Sequence, residues 1–189
     1  GLGAVPKWII VKRTSSTQSW LVYHAGMNEG STPEDFFMKL NITDDESNDN
    51  TAWNDTAPTS DVFTVGTSSG TNTLNETYVA YVWCEKSSYS KFGNYTGTGS
   101  SGKAITTGFK PAWIMIKRSD SANHWVILDT TRDTTGDVTK YLAADSNDDE
   151  DDTTQVQTQI DATGFTLQSG QDIVNASNGK YIYMAFADT

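Results

Sequence analysis

One stretch of this chain occurs twice, and this duplication constrains the fold more than any other feature. Residues 6–22 read PKWIIVKRTSSTQSWLV and residues 111–127 read PAWIMIKRSDSANHWVI, at a constant offset of 105 with no gap. Seven positions are identical, two of them tryptophans, and six further pairs are conservative. An internal match of this length indicates a repeated structural unit, so we expect two copies of one architecture.

Each copy of the repeated stretch predicts a β-hairpin. The runs Trp8–Val11 and Trp20–Tyr23 are short and rich in β-branched and aromatic residues, and they flank a loop of Ser, Thr and Gln. The first run is apolar on both sides of the strand, whereas a sheet with one wet face would alternate apolar and polar residues. The second face must therefore be covered by the other repeat, another subunit or a neighbouring module.

The similarity continues beyond the hairpin. Three further pairs of segments align at offsets between 102 and 104: the acidic triplets 44–46 and 148–150, the apolar segments 63–65 and 165–167, and the last strands 78–85 and 181–188. Each repeat therefore predicts about five strands, a usual number for a small sandwich. The last strand is apolar on both faces, which favours a central position in its sheet.

The predicted fold is all-β, with two homologous antiparallel β-sandwich repeats of jelly-roll-like character. The first repeat covers residues 1–88 and the second covers residues 89–189, with residues 89–107 as a linker or an opening strand. The alternative is that both repeats merge into one pseudo-symmetric sandwich. If residues 89–107 open the second repeat, the first repeat lacks its equivalent before Gly1, and both chain ends read as the interior of a longer polypeptide.

The net charge of the chain excludes some classes of binding partner. The chain has 24 acidic and 13 basic residues, a formal net charge of −11. Such a surface repels nucleic-acid phosphates and anionic lipid headgroups. No apolar run in the sequence is long enough to span a bilayer. We therefore predict no nucleic-acid partner and no membrane insertion.

Four segments carry a resemblance to a known kind of protein: FGNYTGTGS at 92–100, TGFKPAWIMIKR at 107–118, HWVILDTTRD at 124–133 and NGKYIYMAFAD at 178–188. Their order resembles an uncharacterised repeated β module of tail-fibre and other virion structural proteins of tailed bacteriophages, especially marine ones. The resemblance implies an extracellular, virion-borne module for host attachment, without catalytic residues. It also implies self-association as a homotrimer or other symmetric oligomer, other virion proteins as partners, and a host-surface glycan as a receptor.

Few residues are candidates for a catalytic or metal-binding role. His24 and His124 occupy non-equivalent positions of the repeat and predict no shared metal site. Cys84 aligns with Ala187, which favours a small packing residue over a nucleophile. The acidic run Asp148–Asp152 could bind calcium, but the spacing of a calcium loop is absent and a solvated loop is the plainer interpretation. We therefore predict neither an enzyme nor a cofactor, with calcium left open.

The aromatic residues raise a rival function, a carbohydrate-binding or carbohydrate-active domain (lectin or glycoside hydrolase), because sugars stack on flat rings. The four hairpin tryptophans are expected in the core: Trp8, Trp20, Trp113 and Trp125. Trp53 and Tyr95 lie in segments with loop character and form the predicted surface platform for a ligand. The acidic residues are too numerous for the sequence to locate a pair of catalytic carboxylates.

Overall fold

The structure, a computed structural model, describes residues 2–134 and 136–188. In that part of the chain the backbone forms fourteen strands and one short α-helix, which confirms the all-β prediction. In chain order the elements are β1 (Trp8–Arg13), β2 (Trp20–His24), β3 (Phe36–Lys39), β4 (Ser47–Asn48), α1 (Asn50–Trp53), β5 (Tyr78–Trp83), β6 (Ser90–Thr96), β7 (Lys103–Thr106), β8 (Pro111–Arg118), β9 (Trp125–Asp129), β10 (Lys140–Ala143), β11 (Asp151–Asp152), β12 (Thr158–Asp161), β13 (Gly164–Leu167) and β14 (Lys180–Ala187).

The strands form three antiparallel sheets. The first sheet has the order β4-β3-β2-β1-β5, the second β11-β10-β9-β8-β14-β6, and the third β12-β13-β7. The two hairpins pair in the same register, with Trp8 opposite His24 and Trp113 opposite Asp129. Because the first five strands of the second sheet repeat the order of the first sheet, the strand order agrees with a duplicated unit.

The second sheet is buried on both faces, as its apolar strands require. Side chains of one face, including Ile116 and Val126, join a core with Phe165 and Leu167 of the third sheet. Residues of the opposite face lie in a second core with residues of the first sheet: Met115, Trp125, Ile182 and Met184 with Trp8, Ile10 and Val22. The second apolar face of the hairpin strands is therefore covered by the other repeat, the first of the three alternatives that the sequence allowed.

The first sheet is covered on its outer face by irregular chain. Ile9 is paired with Tyr23 and shares its side of the sheet, facing away from the second repeat. On that side the Trp53 ring of α1 meets the Tyr23 ring edge-on, at 6.1 Å between centroids. A Cβ at Gly70 would lie 2.5 Å from a methyl carbon of Leu21, so the loop at Gly70 runs close against the sheet. The layers are therefore this loop region, the first sheet, the second sheet and the third sheet.

Buried polar contacts join the two repeats. The Trp125 indole N–H donates to the Lys39 carbonyl at 3.0 Å. The Lys117 ammonium donates to the Thr43 carbonyl at 3.1 Å, and the Asn123 N–H donates to the same carbonyl at 2.9 Å. These contacts fix the β3–β4 connection of the first repeat against the β8–β9 hairpin of the second.

Two expectations about the first repeat are wrong. Phe63–Val65 was expected to form a strand like Phe165–Leu167, but it is not one in the structure. β5 was expected to be central in its sheet, but it lies at the edge. Both differences have the same cause. In the second repeat β6 pairs with β14 and β7 pairs with β13, and within the described residues the first repeat has no counterpart of β6 or β7.

Candidate functional site

The edge position of β5 is the most distinctive feature of the surface. Among the residues that the structure describes, β5 pairs with β1 and with no other strand. We call its unpaired side the open edge. An unpaired strand presents a row of backbone N–H and C=O groups that can pair with another strand, so natural edges are usually short, charged or covered. β5 has the sequence YVAYVW and no charged residue.

Three aromatic side chains stand on the face of the sheet beside the open edge. Tyr81 is opposite Ile10 and Trp83 is opposite Trp8, so they share one side of the sheet with Trp20, which is opposite Lys12. Tyr81 is 45% exposed, and the other two are half-buried. We call Trp20, Tyr81 and Trp83 the aromatic row.

The rings of the aromatic row are nearly parallel. The centroids of Trp20 and Tyr81 are 6.5 Å apart with planes at 22°. Those of Tyr81 and Trp83 are 6.2 Å apart at 21°. Trp83 in turn stacks on the buried Trp8 at 4.4 Å, which anchors the row to the core. The row is therefore a stack of rings on the face of the sheet that holds Trp8 and Ile10, and Tyr81 is its exposed member.

Charged groups fix one end of this surface. The Lys12 ammonium lies 5.8 Å from the centre of the Trp20 ring. It also donates to the Arg13 and Gln18 carbonyls at 2.8 and 3.0 Å. Arg13 pairs with Glu76, which also accepts from a serine hydroxyl. These hydrogen bonds, first that of the serine and then that of Arg13, lower the pKa of the Glu76 carboxyl. The contacts tie the start of β5 to the end of β1.

An apolar recess lies at the other end of β5. It has a volume of about 180 Å³ and is lined by side chains from the start of the chain, the 59–63 segment and β5: Leu2, Ala4, Pro6, Thr59, Ser60, Asp61, Val62, Phe63 and Val82. Val62 is 63% exposed and Leu2 is 46% exposed. We call this cavity the Val62 recess. The aromatic row and the Val62 recess border the open edge on opposite faces of the first sheet, because Tyr81 is opposite Ile10 whereas Val82 is opposite Ile9.

A second cavity is an acidic groove of about 300 Å³. It is lined by His124, Tyr141, Ala143, Asp148, Asp149, Glu150 and Asp151. His124 Nδ1 is 2.8 Å from the buried carboxylate of Asp145, which also accepts from the Trp125 N–H at 2.7 Å. Burial, followed by the charge of Asp151, raises the pKa of the Tyr141 hydroxyl. Across residues 2–134 and 136–188, His, Cys, Asp and Glu side chains form no group of three or more that could hold a metal ion.

The predicted ligand platform is wrong, because both of its residues are buried. Trp53 is 2% exposed and packs between α1 and the first sheet, and Tyr95 is 8% exposed. The Tyr95 ring stacks on Tyr181 at 4.9 Å, and its hydroxyl donates to the Val174 carbonyl at 2.6 Å. The two rings also belong to different cores, so the structure does not bring them together.

The other residues considered for chemistry lie apart. His24 is fully buried between the first and second sheets, whereas His124 lines the acidic groove. Cys84 is half-buried just after β5, so the prediction of a packing residue is met only in part. Its carbonyl accepts from the Ser90 hydroxyl at 3.3 Å.

Sequence reasoning assigned the residues of the aromatic row to the interior. Trp20 was expected in the core because its equivalent, Trp125, lies in an apolar run, and Trp125 is indeed fully buried. Tyr81 and Trp83 were expected in a central strand. A usable signal was present: the segment between the repeats occurs once in a chain with two repeats. The repeat without that segment is the one with an uncovered edge.

Comparisons with known proteins add a family and nothing about activity. In the described ranges, no helix combines the length and apolar character needed to cross a membrane. No curated protein and no solved structure matches the chain. One family model matches, over residues 1–189. The chain therefore belongs to the family described as a domain of unknown function, DUF7483.

Proposed function

We propose that this chain is a structural module of an extracellular appendage, a phage tail fibre or similar virion surface part that serves host attachment, and that it is not an enzyme. The observation that carries the proposal is the distribution of its apolar surface. Of the seven exposed large hydrophobic side chains in the described residues, three lie next to the open edge: Tyr81 on one face of the sheet, and Leu2 and Val62 at the recess on the other face. An unpaired strand edge bordered by apolar side chains suits assembly into a larger structure.

The layered packing supports a mechanical role. Both cores are continuous across several strands, and the two repeats are joined by apolar packing as well as by hydrogen bonds. The partners in this proposal are other virion proteins, further copies of the chain in a homotrimer or other symmetric oligomer, and a glycan of the host surface. The packing between repeats covers most of the apolar faces, so oligomer contacts would fall on the remaining apolar side.

Immunogold labelling of intact phage particles encoding the chain tests the proposal. An antibody to the purified chain should label a tail or surface appendage, and digestion with proteinase before labelling should remove the signal. Particles without label, together with chain present only in the soluble fraction of the infected cell, would rule out a virion role. Light scattering of the purified chain at low concentration tests self-association separately.

A carbohydrate-binding or carbohydrate-active domain is the second candidate, and the aromatic row favours it. The exposed Tyr81 ring, supported by the nearly parallel Trp20 and Trp83 rings, can stack on a sugar face. A glycan array and a polysaccharide-degradation assay separate the possibilities. Release of products would indicate a hydrolase, and binding without turnover would indicate a lectin or adhesin.

A matched pair of variants locates any binding. The double variant Trp20→Ala and Tyr81→Ala should abolish glycan binding while leaving the melting temperature within a few degrees, because both side chains are partly exposed. Tyr89→Ala removes an exposed ring outside the row and should leave binding unchanged. Equal loss in both would place the glycan elsewhere.

A further inference from the structure

The second repeat shows what completes a sheet at the position of the open edge. β6 pairs with β14 over seven residues, from Thr96 opposite Lys180 to Ser90 opposite Phe186. β7 follows and pairs with β13, with Ile105 opposite Phe165. One continuous segment, residues 90–106, therefore completes two sheets of its repeat.

The first repeat has both of the corresponding vacancies. By the offset of 103, β5 is the equivalent of β14, and its outer side is the open edge. By the offset of 102, residues 62–65 are the equivalent of β13. Within the described chain, residues 62–65 belong to no strand, and the Val62 side chain is 63% exposed.

The backbone before β1 retains the geometry that follows β7. Gly3 has a φ of 71° and its equivalent Gly108 has a φ of 88°, a left-handed conformation that favours glycine. In the second repeat Gly108 comes two residues after the end of β7. A β7-like strand placed on residues 62–65 in the same way would therefore run directly into Gly3.

We propose that the open edge and the Val62 recess form a single docking surface for a segment resembling residues 90–106, supplied by the same polypeptide N-terminal to Leu2. The segment adds a sixth strand to the first sheet and a strand against residues 62–65. The inference concerns how the module is completed and does not depend on the proposed function.

The second repeat also specifies the chemistry of this segment. Phe92 is opposite Met184, so the residue that meets Tyr81 should be apolar or aromatic. Gly93 is opposite Tyr183, and a Cβ there would lie 2.8 Å from the tyrosine ring. The first repeat has an alanine in place of this tyrosine, so its incoming strand does not require glycine.

A second copy of the chain fits the surface less well. Two β5 strands could pair antiparallel across a twofold axis and satisfy both open edges. Such a pair leaves the Val62 recess uncovered, because the recess lies beside the 59–63 segment and the start of the chain. A single β6–β7-like segment covers both vacancies, which decides between the two occupants.

The test grafts the chain's own segment onto its first repeat. Residues 88–107 are placed directly before Gly3, in the frame given by the offset of 105, and hydrogen exchange is compared with that of the parent chain. Amides of residues 78–83 and 62–65 that exchange fast in the parent should slow at least about tenfold, since pairing protects edge amides. The control carries Pro in place of the grafted copies of Lys91, Gly93 and Ile105, and should show no protection. Lys91 and Gly93 are chosen because the N–H of Phe92 between them points away from β14, toward Glu85.

Each outcome decides the proposal. Protection of both segments in the graft but not in the proline control supports it. No protection, or protection of residues 78–83 alone, overturns the single-segment assignment. A parent chain that is dimeric with residues 78–83 already protected overturns it in favour of a second copy. As a measurement independent of the graft's folding, a synthetic peptide of residues 88–107 titrated onto the parent should protect the same amides.

Discussion

His24 offers a direct test of the packing between the repeats. Its side chain lies fully buried between the first and second sheets. Nδ1 accepts from the Gly26 N–H at 2.9 Å, so the ring proton is on Nε2, which donates to the Tyr183 carbonyl at 3.1 Å. Burial is the main influence on this group and lowers the pKa of His24 from 6.5 to about 3. The neutral ring is therefore part of the folded state.

The sign and size of the effect follow from this pKa. The unfolded chain binds a proton below about pH 6.5, whereas the folded chain resists protonation until about pH 3. The contribution of His24 to stability is complete above pH 6.5 and is lost as the pH falls toward 3. At about 1.36 kcal/mol per pKa unit, the loss is roughly 2 kcal/mol at pH 5 and roughly 3 kcal/mol at pH 4.

Urea unfolding of the wild type and of His24→Gln at pH 8 and pH 5 measures this contribution. Glutamine cannot take up the proton, so the variant should lose about 2 kcal/mol less than the wild type between the two pH values. The raised pKa of Glu46, caused chiefly by burial, acts in the opposite direction but cancels in the difference between the two proteins. His124→Gln is the control, because the His124 side chain is 40% exposed.

An identical change in unfolding free energy for wild type and His24→Gln would refute the reasoning. It would mean that water reaches the ring in the folded protein, and hence that the two sheets are not packed closely at this point. A difference of the expected size in His124→Gln alone would place the sensitive histidine in the acidic groove instead.

Three further predictions concern the cores. Trp53→Ala should lower the free energy of unfolding by about 3–5 kcal/mol, and Trp113→Ala should lower it less, because Trp53 is fully buried and Trp113 is half-buried. The sequence predicted the opposite order, with Trp113 in the core and Trp53 at the surface. Equal shifts in the denaturation midpoint of the two variants would contradict the order expected from the structure. Gly93→Ala should cost about 1–3 kcal/mol, measured by thermal unfolding, because the new Cβ meets the packed Tyr183 ring at 2.8 Å; an unchanged melting temperature would show that the ring moves freely. Burial lowers the pKa of Lys117 from 10.5 to about 8, so folding is penalised while the amine is charged. The unfolding free energy should then rise by about 2 kcal/mol from pH 8 to pH 10 in the wild type and not in Lys117→Met, as judged by urea titration.

Local patterns in the sequence predicted the parts of the fold that local physics controls. Short runs rich in β-branched and aromatic residues in the duplicated stretch identified β1, β2, β8 and β9. The gap-free match predicted that both hairpins share a register, and they do. Because these strands are apolar on both faces, the sequence predicted that both faces of each sheet pack against other parts of the protein. Soluble proteins rarely leave large apolar surfaces exposed to water.

The sequence predicted burial less accurately in segments without a clear hydrophobic periodicity. Trp53 lies in a polar, turn-like stretch, and that context predicted a surface position. Trp53 is buried because the 49–77 region covers the outer face of the first sheet. In the second repeat the third sheet covers the equivalent face. Tyr95 was treated as a loop residue for the same reason, and its position is decided by pairing with β14, far along the chain.

The sequence by itself determined that two similar all-β units exist, that each contains the same hairpin, and that the hairpin strands need cover on both faces. Only the tertiary structure decided what provides that cover. Hydrophobic burial is non-directional, so the same apolar strand is stable against a sheet, a loop or another chain. The single segment between the repeats could pair with one repeat only. Because β6 pairs with β14, the equivalent side of β5 is left as the open edge, and Tyr81 beside it is exposed.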